Sequence, residues 1–109
     1  MLIDPGTFFE QVGPYGERND HYTRDVATFG LALGIVLVIA ARRPRWGVPV
    51  IVYALAQNAF HAVNHFVDIG AADPERLGPL NAFLLSAIAA LLGWMLVTAV
   101  RLDRREAAR

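Results

Sequence analysis

The chain has no cysteine, no lysine and only one serine, Ser86, among its 109 residues. Without thiols it can form no disulfide, thiolate metal site, iron–sulfur cluster or cysteine nucleophile, and its redox compartment cannot be read from its residues. Ser86 lies among alanines in an apolar stretch, which gives a serine nucleophile little support. Gly13 and Gly16 flank Pro14 and Tyr15, but no strand or phosphate-binding lysine accompanies them, so a phosphate loop is not indicated. A charge of one sign is also missing. Ten arginines balance ten acidic residues, and the electrostatic footprint of a nucleic-acid binder is therefore absent. The first twenty residues have neither the basic start nor the apolar run of a signal peptide and are expected in the mature protein.

Apolar side chains are abundant. A hydrophobic content of 55% is high for a small water-soluble domain, which brings the bilayer into consideration as solvent. Asp4 followed by Pro5 predicts an N-cap with proline in the first turn, and Phe8, Phe9 and Val12 then share one side of a short helix ended by Gly13 and Pro14. Residues 1–19 are thus expected to form an N-terminal interfacial segment. Three long apolar runs follow, predicting spans at 21–42, 47–68 and 79–101, with 102–109 as a tail. Pro49 and Pro79 each fall in an opening turn, where proline is tolerated. The third run carries Phe83, Leu84, Ile88, Leu91, Trp94 and Val97 around its whole circumference, leaving no polar stripe for water. The expected fold is all-α, a single-domain bundle of three transmembrane helices with a short interfacial helix.

Arginine placement gives the expected orientation. Arg42, Arg43 and Arg45 lie between the first two runs and Arg101, Arg104, Arg105 and Arg109 follow the third, whereas the other side has only Arg18, Arg24 and Arg76. Positive loops face the cytoplasm, so the N-terminus is expected outside and the C-terminus inside a multi-pass cell-membrane protein. Gly30 with Gly34, and Ala82, Ser86 and Ala90, are expected at helix contacts.

The second run does not stay apolar. Asn58, His61, His65 and Asp68 follow one another at helical spacing, and Gln57 and Asn64 flank them. Polar groups at membrane depth are costly, so this stripe should face the bundle interior or a wet cavity. The antiparallel first helix brings Asn19, Asp20, His21, Arg24 and Asp25 to the same end. His21 with Asp25 and His61 with His65 are both i, i+4 pairs, a spacing at which two side chains reach one ion. At about 1.5 Å per residue, Asp25 and His65 lie level, with His61 a turn deeper and His21 a turn shallower.

A metal site of His21, Asp25, His61 and His65 is one expectation, with zinc, copper or iron suited to imidazole and carboxylate donors. Asn19, Arg24, Asn58, Asn64 and Asp68 would surround those ligands and fix histidine tautomers. Haem is less well supported, because His61 and His65 share a face and cannot take opposite sides of one iron. The same residues could instead form a structural polar clasp between helices, or a pocket that handles protons or a small molecule. Under the clasp reading, the protein is a non-enzymatic accessory or assembly subunit of a larger membrane complex. Under the pocket reading it is an enzyme acting on an apolar molecule, with His65 and Asp25 as acid and base. Besides the lipid bilayer, its expected partners are further copies of itself or other membrane subunits.

The segment Asn19-Asp20-His21-Tyr22-Thr23-Arg24-Asp25 before an apolar helix, together with His61 and His65 late in the next, resembles a group of uncharacterised small bacterial integral membrane proteins. Their shared pattern is Asn-acidic-His-x-x-Arg-Asp, and the group is loosely similar to DoxX-like proteins. The resemblance covers residues 15 to 70 and implies a helical membrane fold, without implying an activity. DoxX-like proteins usually have four spans, whereas three are expected here.

Overall fold

Asp4 starts the first helix as the sequence predicts. Its carboxylate accepts from the Thr7 backbone N–H at 3.0 Å and from the Thr7 hydroxyl at 2.7 Å, opening α1 over Pro5–Gln11. In this computed structural model, which describes residues 1–108 apart from the side chains of Pro44 and Glu106, three longer helices follow. They are α2 over Asp20–Arg42, α3 over Gly47–Val67 and α4 over Leu77–Ala107, with a 3₁₀ turn at Pro44–Trp46 joining the first two. The described residues form no strand, and the chain is all-helical.

The caps explain the boundaries. Asn19 accepts from the Tyr22 backbone N–H at 3.1 Å and satisfies one of the free donors at the start of α2. Pro49 and Pro79 sit in the opening turns of α3 and α4, where no backbone hydrogen bond is lost. The last helix runs past position 101, so Arg101, Arg104 and Arg105 stand on its continuation. Arg109 lies outside the described residues.

α3 and α4 form a closely packed hairpin, and α2 touches α3 much less. The hairpin is built on small side chains: Ala54 and Ala82 are 2% and 1% exposed, and Ala62 and Val50 are also buried. Small residues let backbones approach, which is how helices gain contact where no hydrophobic force separates them from lipid. At the turn, Gly78 lies against the Ile69 carbonyl, with no room for a Cβ. The small-residue pattern in α2 has a different outcome. A Cβ at Gly30 or Gly34 would meet no atom within 4 Å, so these glycines make no close helix contact within the chain. In α4, Ala82 is packed and Ala90 is exposed.

Large apolar side chains point outward almost everywhere. Phe29, Ile35 and Val38 on α2, Phe60 and Phe66 on α3, and Phe83, Leu91 and Trp94 on α4 are all exposed. No large side chain is fully buried among the described residues. Water-soluble monomers rarely expose contiguous apolar surface on this scale. Two helices, α2 and α4, are long and apolar enough to cross a membrane, and α3 is of comparable length but carries the polar stripe.

Candidate functional site

The N-terminal segment folds back over the end of the hairpin where α3 turns into α4. Tyr15 pairs with Ala72 in an isolated antiparallel bridge, and the Asp73 N–H donates to the Pro14 carbonyl at 3.2 Å. Arg18 adds a second tie. Its guanidinium packs on Gly6 of α1 and donates to both carboxylate oxygens of Asp20, at 2.6 and 3.0 Å. That pairing holds the guanidinium of Arg18 above its ordinary pKa. Asp4 is shifted the other way: the backbone N–H and then the hydroxyl of Thr7 stabilise its carboxylate and lower its pKa.

This folding back delivers Tyr15 to the histidines. The Tyr15 hydroxyl lies 3.0 Å from His65 Nδ1, and the rings meet edge to face with centroids 4.9 Å apart. On the other side of the ring, His65 Nε2 lies 3.1 Å from His61 Nε2. Asn81 of α4 donates to the Val12 carbonyl at 3.0 Å and reaches the Tyr15 hydroxyl at 3.5 Å. One chain of polar groups therefore links α3, the N-terminal segment and α4. It lines a cavity of about 540 Å³ whose remaining wall is largely apolar, including Phe8, Phe9, Val26 and Leu84.

The tautomers constrain the chemistry. If His65 Nδ1 donates its proton to Tyr15, its Nε2 keeps a lone pair directed at His61. His61 Nε2 then either donates to that lone pair or presents a second lone pair beside it. A hydrogen bond and a shared cation are the two ways to satisfy nitrogens at this separation.

The residues expected together fall into two pairs. His21 Nε2 lies 3.3 Å from Asp25 Oδ2 on the exposed N-terminal end of α2, and His61 pairs with His65. Among the described residues, no three of His, Asp and Glu converge on one point. Asn58 turns back to its own helix, donating to the Ala54 carbonyl at 3.0 Å and to Gln57 Oε1 at 3.1 Å. Asn19 is the α2 cap, Asp68 caps the end of α3, and Arg24 and Asn64 are exposed. Tyr15 and Asn81 are the members that sequence reasoning missed. An amide in the first turns of the most apolar run was a usable signal for Asn81, since polar side chains at membrane depth seek partners. Nothing local distinguishes Tyr15, which meets His65 across fifty positions.

Comparison with protein families, with characterised proteins and with solved structures finds no match to this chain.

Proposed function

We propose that the chain is a three-span membrane protein that holds a transition-metal ion at the outer end of its bundle through His61 and His65. The observation that carries this reading is the 3.1 Å separation of the two Nε2 atoms, combined with the Tyr15 hydroxyl at the far nitrogen of His65. Neighbouring imidazole ligands at metal–nitrogen distances of about 2.0–2.1 Å stand about 3.0–3.4 Å apart, depending on the coordination geometry. Metal-bound histidines also commonly donate their other N–H to an oxygen, which fixes the ring and raises ligand basicity. Zinc, copper or iron suits two imidazoles, and the open cavity leaves room for water or a bound molecule in the other positions. His21 and Asp25 form a separate pair and are not needed for this site.

Length and surface support a reading with three spans. The 21 residues of α3 rise about 31 Å at 1.5 Å each, enough for the hydrocarbon core of a bilayer. Within its polar stripe, the Tyr15 hydroxyl partners His65 and Asn58 bonds back to the Ala54 carbonyl, which lowers the cost of a third crossing. The positive-inside rule, applied to the arginines between α2 and α3 and on the end of α4, supports a cytoplasmic position for that side and an extracytoplasmic one for the histidines.

Metal analysis of the purified chain tests the site. The expected result is about one bound ion per chain, lost in the His61→Ala, His65→Ala double variant and weakened about 10- to 100-fold in affinity by Tyr15→Phe. Equal, negligible metal in all three proteins would refute the reading. A second reading, the polar clasp of an accessory subunit, is favoured by the Asn81–Val12 and Tyr15–His65 hydrogen bonds, which tie three segments together. It predicts that Tyr15→Phe lowers stability with no metal effect to measure.

A further inference from the structure

The chain has no net charge, but its charges are divided between the two ends of the bundle. Residues 1–25 and 68–76 hold eight acidic residues and three arginines, whereas positions 42–45 and 101–109 hold seven arginines and two acidic residues. α3 and α4 pack as a hairpin from the turn where Gly78 meets Ile69, so the link between α2 and α3 lies at the same end as the last turns of α4. α4 has 31 residues and α3 has 21, and the surplus carries α4 about 15 Å past the start of α3 at 1.5 Å per residue. Arg101, Arg104 and Arg105 stand on that extension at i, i+3 and i+4, which puts them on one face. They and Arg42, Arg43 and Arg45 at the link are all exposed. Asp103 is one or two positions from each arginine of the extension, and side chains so spaced do not face each other. Among the described residues, the ion pairs Arg18–Asp20 and His21–Asp25 both lie at the other end.

We propose that this arginine end binds the headgroup phosphates of anionic phospholipids. A guanidinium presents paired N–H donors that match two phosphate oxygens. Clusters of about four to eight basic residues directly after a membrane span attract anionic headgroups. Apolar surface set among the arginines points to lipid rather than to a soluble anion or an acidic protein. Trp46 adjoins Arg45 and is 45% exposed, and Leu102 follows Arg101 and is 53% exposed. Arg101 itself comes directly after the apolar run that ends at Val100. Tryptophan with arginine is the pairing found at the depth of the headgroups, where an apolar side chain meets acyl chain and a guanidinium meets phosphate. A soluble acidic partner would engage the arginines and leave Trp46 and Leu102 in water.

The inference rests on the membrane placement proposed above but not on the metal. The chain has two tryptophans and Trp94 is 66% exposed, so Trp94→Phe leaves Trp46 as a single reporter beside the arginines without disturbing a packed site. The full chain with that substitution is reconstituted in phosphatidylcholine vesicles that contain, at equal mole fraction, either phosphatidylglycerol or phosphatidylcholine with brominated chains, and quenching of Trp46 is measured. Brominated phosphatidylglycerol is expected to quench more strongly, with a preference of about fivefold, the ratio given by about 1 kcal/mol for one arginine near an anionic surface. High salt is expected to bring that preference towards one, because exposed charges are screened. Joint replacement of Arg101, Arg104 and Arg105 by Gln is expected to do the same at low salt, whereas Arg24→Gln with Arg76→Gln, at the other end, leaves the preference unchanged. The salt series keeps all the arginines and decides the proposal even where the triple variant does not fold. Equal quenching by the two lipids, or a preference that salt does not change, would overturn the proposal and leave the membrane placement standing. Absence of quenching by either lipid would overturn both.

Discussion

The two helix seams of this chain are built differently. Between α3 and α4, alanines bring the backbones together and Gly78 lets the turn close on the Ile69 carbonyl. Between α2 and α3, glycines at positions 30 and 34 face open space, and residues of both helices line a cavity. A glycine step is therefore not sufficient for helix contact. Link length does not make the difference, since residues 68–76 join α3 to α4 and only 43–46 join α2 to α3; the first seam buries Ala54, Ala62 and Ala82, whereas Gly30 and Gly34 of α2 pack against nothing.

Breaking the tight seam should have the largest effect. Gly78→Ala places a Cβ on the backbone carbonyl of Ile69, which cannot move without opening the turn. The expected loss is about 1–3 kcal/mol of stability, read from thermal or denaturant unfolding in detergent. A matched pair of substitutions sharpens the contrast. Ala82→Leu in the packed seam should destabilise by about 1–3 kcal/mol, whereas Gly34→Leu should stay within about 0.5 kcal/mol of the unsubstituted chain. Equal effects would mean that the α2 seam is closed in the folded protein. Tyr15→Phe removes the hydrogen bond to His65 and should cost about 0.5–1.5 kcal/mol, with faster amide exchange in residues 12–15.

The smallest effect belongs to the exposed start of α1. The carboxylate of Asp4 has a pKa below its ordinary value, so the stabilisation it gives is present above about pH 4 and is lost as pH falls through that lowered value. Amide exchange at Thr7 and Phe8 should quicken over that window while the α3–α4 seam stays protected.

Much of the fold was legible because its signals are local. Asp4-Pro5 marks α1, the arginines at 42, 43 and 45 mark the link between α2 and α3, and helix starts at Gly47 and Leu77 fall close to the expected 47 and 79. The continuation of α4 to Ala107 was missed, since charge ends an apolar run without ending a helix. At the site, periodicity identified His61 and His65 as neighbours and His21 with Asp25 likewise. Which pairs join across helices depends on tilt and on the return path of the N-terminal segment, and neither is encoded at the spacing of i and i+4. Tyr15 and Asn81 enter the site only through that path.

The bridge between Tyr15 and Ala72 has a mechanical meaning when set beside the link at Arg43–Trp46. α2 is fastened to the hairpin at its two ends and lightly in between, like a bow strung across a frame. The span of the gap is then fixed by the lengths of the fastenings rather than by side chains meeting in the middle. Residues added to the link between α2 and α3 would widen the bow without changing any side chain along the seam, and the Tyr15–Ala72 fastening would carry the load.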